Sequence, residues 1–435
     1  MNWEEIYKQR TMPAAQAVKD HVCDNDNIFI GGLTTAIQTV QAVLDAAEKG
    51  ECRGILLHGN LILGALDFTK NSFREDVLRY RCFFGGPLER AGAQAKNVSF
   101  VPLQFHNLGY YMAHIRPDLA ILPMTPPDDK GYCNLGPMGY NPVAALYSKK
   151  IIAQITPELP RVYGSNHDYH VSGIAAFVQG NEPVQVIDSV PPSDEDKKIA
   201  GYIVDMVPDG ACIQLGIGSL ANAVGFGLRT KKHLGVHSEM YTESMAALQS
   251  EGVIDNSRKT FEHGRSIAGF ALGTKEQYNY ITNNPKVFFT PYDYVNNIQN
   301  IMANDNMISI NNAMSVDLTG QVCAESIGYR QYSGTGGQMD FVRGATHSKG
   351  GKSFIAISSV AKTKDGNKSR IVLSLEPGSV VTTLRAEVQY IVTEYGCVNL
   401  QFCDIPTRAK LLISIAHPDF RDELYYQAQK VGYIY

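Results

Sequence analysis

Short apolar runs alternate with longer stretches of helical period along this chain. Ile28-Phe29-Ile30 precedes a helical pattern from Ala36 to Lys49, and Ile55-Leu56-Leu57 follows it. Leu119-Ala120-Ile121-Leu122 and Lys150-Ile151-Ile152-Ala153 are further strand-length runs. These runs are continuously apolar rather than alternating, which marks strands covered on both faces. The pattern predicts an α/β fold with largely parallel sheets.

The pattern also occurs twice. Val22-Cys23-Asp24 leads into Ile28-Phe29-Ile30-Gly31, and Val207-Pro208-Asp209 leads into Ile213-Gln214-Leu215-Gly216, with a constant offset of 185 residues (28 + 185 = 213). A helix, Asp turn, strand and Gly unit thus recurs near half the chain length, which predicts two similar open α/β domains. Pro191-Pro192-Ser193-Asp194-Glu195-Asp196 supplies the boundary. Proline breaks regular pairing, Ser193 suits a helix cap and the acids suit its first turn. The expected domains are 1–190 and 191–435.

Composition narrows the classes. Of 435 residues, 44% are hydrophobic and 19% charged, enough for a substantial core, and the net charge of -4 draws the surface toward neither nucleic acid nor anionic membrane. No apolar run approaches the ~18 residues that span a bilayer. The polar start Met1-Asn2-Trp3-Glu4-Glu5 is unlike a signal peptide, so the expected location is cytoplasmic. The eight cysteines have no C-x-x-C spacing and most lie in apolar runs. They read as buried free thiols in a reducing compartment, with no metal site.

Two local patterns carry chemistry. Gly216-Ile217-Gly218-Ser219-Leu220-Ala221 follows the strand Cys212–Leu215 and opens a helical stretch, Ala221–Leu228. It fits a dinucleotide fingerprint, and Glu239 lies where a ribose-binding acid would sit, after the apparent strand Leu234–His237. Spacing alone therefore leaves an NAD-dependent dehydrogenase open, beside a glycine turn used only for packing. The second pattern is the glycine stretch Ser333-Gly334-Thr335-Gly336-Gly337.

Gly216-Ile217-Gly218 taken with His237-Ser238-Glu239-Met240 resembles the acetyl-CoA hydrolase/transferase family, nearest to its 4-hydroxybutyrate and butyryl-CoA:acetate CoA-transferases. The resemblance continues through Ser309–Ala313, Val316–Gln321, Ser333–Ala345, Val392–Gly396 and Ile415–Phe420. In the first half, Pro126-Pro127-Asp128 and Arg161–Gly164 also fit. The chain departs from the family at Tyr241-Thr242-Glu243-Ser244, where Ser-Asp-Gly is common after Glu-Met, and at Ile371-Val372-Leu373, where Ile-Val-Pro is common.

The resemblance implies a CoA-transferase fold with its active site between the two domains. It implies exchange of coenzyme A between a short acyl-CoA (acetyl-, butyryl- or 4-hydroxybutyryl-CoA) and a carboxylate such as acetate. Glu239 would be the nucleophile and carry a glutamyl-CoA thioester. Gly216, Ile217, Gly218, Ser219 and Leu220 would line the thioester end, Gly336 and Gly337 the pantetheine arm, and Lys362 and Gly366 the cofactor's phosphate region. Lys364, Lys368 and Arg343 are further basic candidates. Asn312, Gln321 and Cys323 lie in segments like the active-site wall, and Tyr241 and Glu243, beside the nucleophile, would help shape the acyl pocket. No tightly bound cofactor is implied, CoA being substrate and covalent intermediate, and the family implies a homodimer or homotetramer. An acetyl-CoA hydrolase is the alternative within the family. Glu239 is taken as ionised near neutrality, as an ordinary glutamate is. That leaves His237 without work as a general base, and a packed or orienting role is expected for it.

Overall fold

The computed structural model describes residues 2–73 and 76–435. The chain forms two compact units. The first comprises Met1–Ile187 and Ala268–Tyr294, the second Asp188–Ile267 and Val295–Tyr435. The stretch expected as one continuous domain, 191–435, is thus interrupted by a segment that returns to the first unit. That segment is secured there by backbone bonds, Gly139 N–H to Gly269 O among them, and by an edge-on contact of Tyr140 with Tyr292.

The first unit is built on strands β1 (Asn27–Leu33), β2 (Ile55–Ile62), β3 (Leu78–Cys82), β4 (Val98–Phe100), β5 (Leu119–Met124), β6 (Lys150–Ile155) and β7 (Ala176–Gln179). They pair in the order β7-β6-β5-β1-β2-β3-β4, all parallel. Ile28, Phe29 and Ile30 are all buried, as the continuous apolar run requires. Helix α1 (Ile37–Glu48) buries Val40, Val43, Leu44 and Ala47, a stripe of helical period laid on the sheet.

The second unit opens with helix α2 (Asp194–Asp205), which Ser193 caps in a reciprocal box with Asp196. Its sheet contains β8 (Cys212–Leu215), β9 (Gly235–Tyr241), β10 (Met307–Asn312), β11 (Lys352–Ala356), β12 (Tyr390–Thr393) and β13 (Gly396–Asn399), in the order β13-β12-β11-β10-β8-β9. All these pairs are parallel except β12 with β13. Helix α3 (Ser219–Gly227) follows β8, and helix α4 (Gln338–His347) follows the second glycine stretch. The chain leaves β8 for β9 on one side and reaches β10 on the other, so β8 and β10 flank a topological switch point, where open α/β sheets place their ligands.

All eight cysteines are free. Five are buried as expected, but Cys23 is exposed and Cys397 and Cys403 only half-buried. Cys23 stands in the Asp turn before β1, outside the apolar run. Among the described residues no helix is long and apolar enough to cross a membrane.

Candidate active site

The site grows from the C-terminal ends of β8, β9 and β10. The turn Gly216–Gly218 leaves β8 with the Gly216 N–H bonded to Ile310 O at 3.1 Å on β10. Gly218 then adopts φ 111°, a region that disfavours side chains, and serves as the N-cap of α3. Ile217 is 41% exposed, whereas Leu220 turns into the core. Ser219 Oγ donates to Asp196 Oδ2 at 2.8 Å, tying the helix start to α2. The first N–H groups of α3 have no partner within their own helix.

Glu239 lies inside β9 rather than beyond it, a correction to the strand end expected at His237. The strand runs on because Met240 and Tyr241 are buried. Asn296 Nδ2 donates to Glu239 Oε2 at 2.7 Å and to Asp340 Oδ2 at 3.2 Å. Gly337, the N-cap of α4, packs directly on this pair: a methyl group added there would overlap Glu239 Oε2 and Asn296 Nδ2.

Burial pushes the Glu239 carboxyl up to about 7, with the Asn296 hydrogen bond opposing the rise and the charge of Asp340 adding to it. The expectation of a fully ionised glutamate at neutrality therefore fails. Desolvation penalises the anion, and near pH 7 both forms are populated.

The two glycine segments are joined by side chains. Asn312, at the end of β10, donates through Nδ2 to Ile217 O at 3.0 Å, and its own carbonyl accepts from Gln338 Nε2 at 2.8 Å. Gln338 directly follows Gly337. A continuous path thus runs from the first glycine turn through Asn312 and Gln338 to Gly337 and Glu239. Sequence reading had noted Asn312 without a role, and it had missed Asn296 and Asp340.

His237 is fully buried, and its Nε2–H donates to Val295 O at 2.8 Å. Burial, helped by the charge of Lys259, pushes the imidazole down to about 3, so it stays neutral and serves as an anchor. Val295 precedes Asn296, so this bond fixes the backbone that carries the amide.

Other residues fall elsewhere. Tyr241 is buried and its hydroxyl donates to Gln249 Oε1 at 2.9 Å, which places it in the core rather than in an acyl pocket. Glu243 is half-buried as the first residue of the next helix. Gln321 closes a tight turn on Asp317, and buried Cys323 contacts Ser326. Arg343 is engaged by Glu387 at 3.0 Å. Lys362 and Gly366 lie on an exposed hairpin, Val360–Thr363 with Gly366–Ser369, together with Lys364 and Lys368. Lys362 approaches Glu195 at 3.5 Å. His417 caps the last helix through Asp419 N–H and packs against Tyr395 and Phe420, a structural role.

The half-buried Glu239 carboxylate thus stands beside two linked glycine turns, and the chain that carries it matches one known group of proteins. The acetyl-CoA hydrolase/transferase N-terminal domain matches residues 1–198, and the C-terminal domain of the same family matches residues 273–428. The chain belongs to the acetyl-CoA hydrolase/transferase family. Within the family it is 38% identical to 4-hydroxybutyrate coenzyme A transferase of Clostridium kluyveri, over 99% of this chain and 100% of that protein. It is also 38% identical to butyryl-CoA:acetate CoA-transferase of Anaerostipes caccae, over 99% and 98%. Among solved structures, RipA from Yersinia pestis superposes with a TM-score of 0.92 at 32% identity, over the whole of both chains.

Proposed function

We propose that this protein is a CoA-transferase that exchanges coenzyme A between a short acyl-CoA and a carboxylate such as acetate, with Glu239 as nucleophile. Butyryl- and 4-hydroxybutyryl-CoA are the acyl donors favoured by the named relatives. The observation that carries the reading is the Glu239 carboxylate, bonded to Asn296 and packed on Gly337, at the switch-point end of the second sheet.

The chemistry follows from that placement. The Glu239 Oε1 lone pair attacks the thioester carbonyl carbon, and the C–S bond breaks to release CoA thiolate. The thiolate then attacks Glu239 Cδ, and the carbonyl pair moves onto Oε2. When the tetrahedral centre collapses, the Cδ–Oε1 bond breaks and the first acid leaves as its carboxylate. CoA remains on Glu239 as a thioester, and a second carboxylate runs the steps in reverse. One thioester is traded for another, so no ATP is required.

Oε2 is the oxygen that gains charge when Cδ is attacked, and Asn296 Nδ2 already donates to it. One such fixed donor is worth about 3 kcal/mol, or about 10²–10³ in rate. The orphan N–H groups at the start of α3 suit the oxyanion of the external acyl carbon, with Gly216–Leu220 against the thioester end. The family resemblance assigns Gly336 and Gly337 to the pantetheine arm. Lys362 and Gly366 stand on a hairpin exposed enough to meet the phosphates. A cytoplasmic homodimer or homotetramer without resident cofactor completes the reading.

The partial reaction tests it. Labelled acetate should enter acetyl-CoA with no other acid present, and Glu239→Gln should abolish that exchange. Release of free CoA without label incorporation would instead make the protein a hydrolase, because water would then be the acceptor.

A further inference from the structure

Asp340 is the third residue of α4 and almost wholly buried. An acid in the first turn is favoured by the helix dipole, yet a carboxylate taken from water also needs hydrogen-bond donors. One comes from Asn296, whose amide nitrogen carries two hydrogens. One hydrogen reaches Asp340 Oδ2 at 3.2 Å and the other Glu239 Oε2 at 2.7 Å. A neutral amide thus bridges two carboxylates. With its other face turned inward, Asn296 would set a carbonyl oxygen against both acids, so the second carboxylate fixes which face the first one meets.

Resting on the reading of Glu239 as nucleophile, we infer that Asp340 is a positioning residue: it holds the Asn296 amide nitrogen toward Glu239, and its charge biases Glu239 toward uncharged forms. Those forms include the protonated acid, the anhydride and the CoA thioester. The bias raises the free energy of the carboxylate relative to the covalent intermediates, so the thioester accumulates more readily. The surrounding charges divide cleanly. From α4, Asp340 acts on Glu239; the segment at Asn296 offers a neutral amide; on β9 itself His237 is neutral. Lys259, whose ammonium donates to Val236 O and Arg265 O, acts on His237 together with Glu262.

The two neighbours of Glu239 therefore push its proton affinity in opposite directions, Asp340 upward and the Asn296 bond downward. The test is the pH profile of kcat/KM in the intact enzyme. Asp340→Asn keeps the shape, removes the charge and should move the acid limb down by about one pH unit. It should also lower the steady-state fraction of glutamyl-CoA thioester seen by mass spectrometry. Asn296→Ala should move the limb up. Asp340→Ala should lower kcat roughly tenfold with KM for acyl-CoA little changed, and most of that loss should vanish in an Asn296→Ala background, where only the direct charge effect on the acid limb remains. An unmoved limb in Asp340→Asn, or an equal loss with and without Asn296, overturns the inference. If Asp340→Asn fails to fold, Asn296→Ala alone decides, and a downward limb there overturns it. Exchange that survives in Glu239→Gln would instead bring down the underlying reading, so the two failures are separable.

Discussion

The first and second units carry the same strand–turn–helix device, and they differ at the position where chemistry is assigned. The offset of 185 residues places Ile28 of β1 with Ile213 of β8. In the sheets Ile28 faces Leu57 of β2 and Ile213 faces Val236 of β9. Counting on from Leu57 and Val236 sets His58 with His237 and Asn60 with Glu239. Both histidines are buried and neutral, pushed down by burial to about 4 and about 3. Each anchors an adjoining segment, His58 through Tyr111 at 2.8 Å and His237 through Val295 O.

The next step in each strand is where they part. Asn60 is an uncharged amide pressed on Gly32, where an added methyl would overlap the Asn60 backbone. Glu239 is a carboxylate pressed on Gly337 with an amide of its own beside it. The turn after β1 is closed, with Thr34 and Thr35 buried and their hydroxyls unpartnered, whereas the turn after β8 exposes Ile217 and leaves open space at Gly218. The scaffold supplies a strand end and a histidine anchor twice. A reactive carboxylate needs, in addition, a donor, a neighbouring charge and a turn open enough for substrate.

The comparison is broken most severely at Glu239 itself. Glu239→Gln makes the second unit resemble the first and should lower exchange by at least about 10³-fold, measured as label transfer between acetate and acetyl-CoA. Gly337→Ala drives a methyl group into the Glu239–Asn296 pair and should cost about 10²-fold in kcat. Gly32→Ala meets backbone instead, so its loss should register as about 3 kcal/mol of stability in denaturant titration. Gly218→Ala has space but a left-handed backbone, and should cost about 1–2 kcal/mol.

The pH dependence follows from the raised Glu239. The folded state holds this proton to about 7, against an unfolded value near 4.5. The sign is that of a raised acid: its contribution to stability is complete below the unfolded value and disappears as pH rises through 7. Glu239→Gln should therefore be more stable than wild type above pH 7, by up to about 3 kcal/mol, with the gap closing toward pH 4.5. In the same window kcat/KM of the wild type should rise with pH, because the anion is the nucleophile. His237 titrates far lower and should leave no mark on that limb.

Much of this was legible in the chain. Continuous apolar runs located β1, β2, β5, β6 and β8, since double coverage demands them, and the 185-residue repeat announced two related halves. Ser193 and its following acids announced the helix they cap. Other features depend on contacts that no local pattern encodes. Asn296 stands 57 residues beyond Glu239, and Asp340 a further 44 along the chain. Each looks like an ordinary polar residue until the fold brings it in. The return of 268–294 to the first unit is hidden for a similar reason, because an apolar strand signals burial but not which core it enters. Adjacency to Glu239 suggests an acyl-pocket role for Tyr241, but its buried hydroxyl is bonded to Gln249, a contact that sequence spacing does not encode. The acidity of Glu239 was missed because a sequence carries the residue's ordinary value, while burial sets the actual one.

The central claim is that Glu239 carries CoA covalently. The protein incubated with acetyl-CoA and then treated with borohydride should show reduction of the glutamyl thioester to an alcohol on the peptide containing Glu239, read by tandem mass spectrometry. An unmodified Glu239 peptide from an enzyme still exchanging CoA between acids would contradict the account.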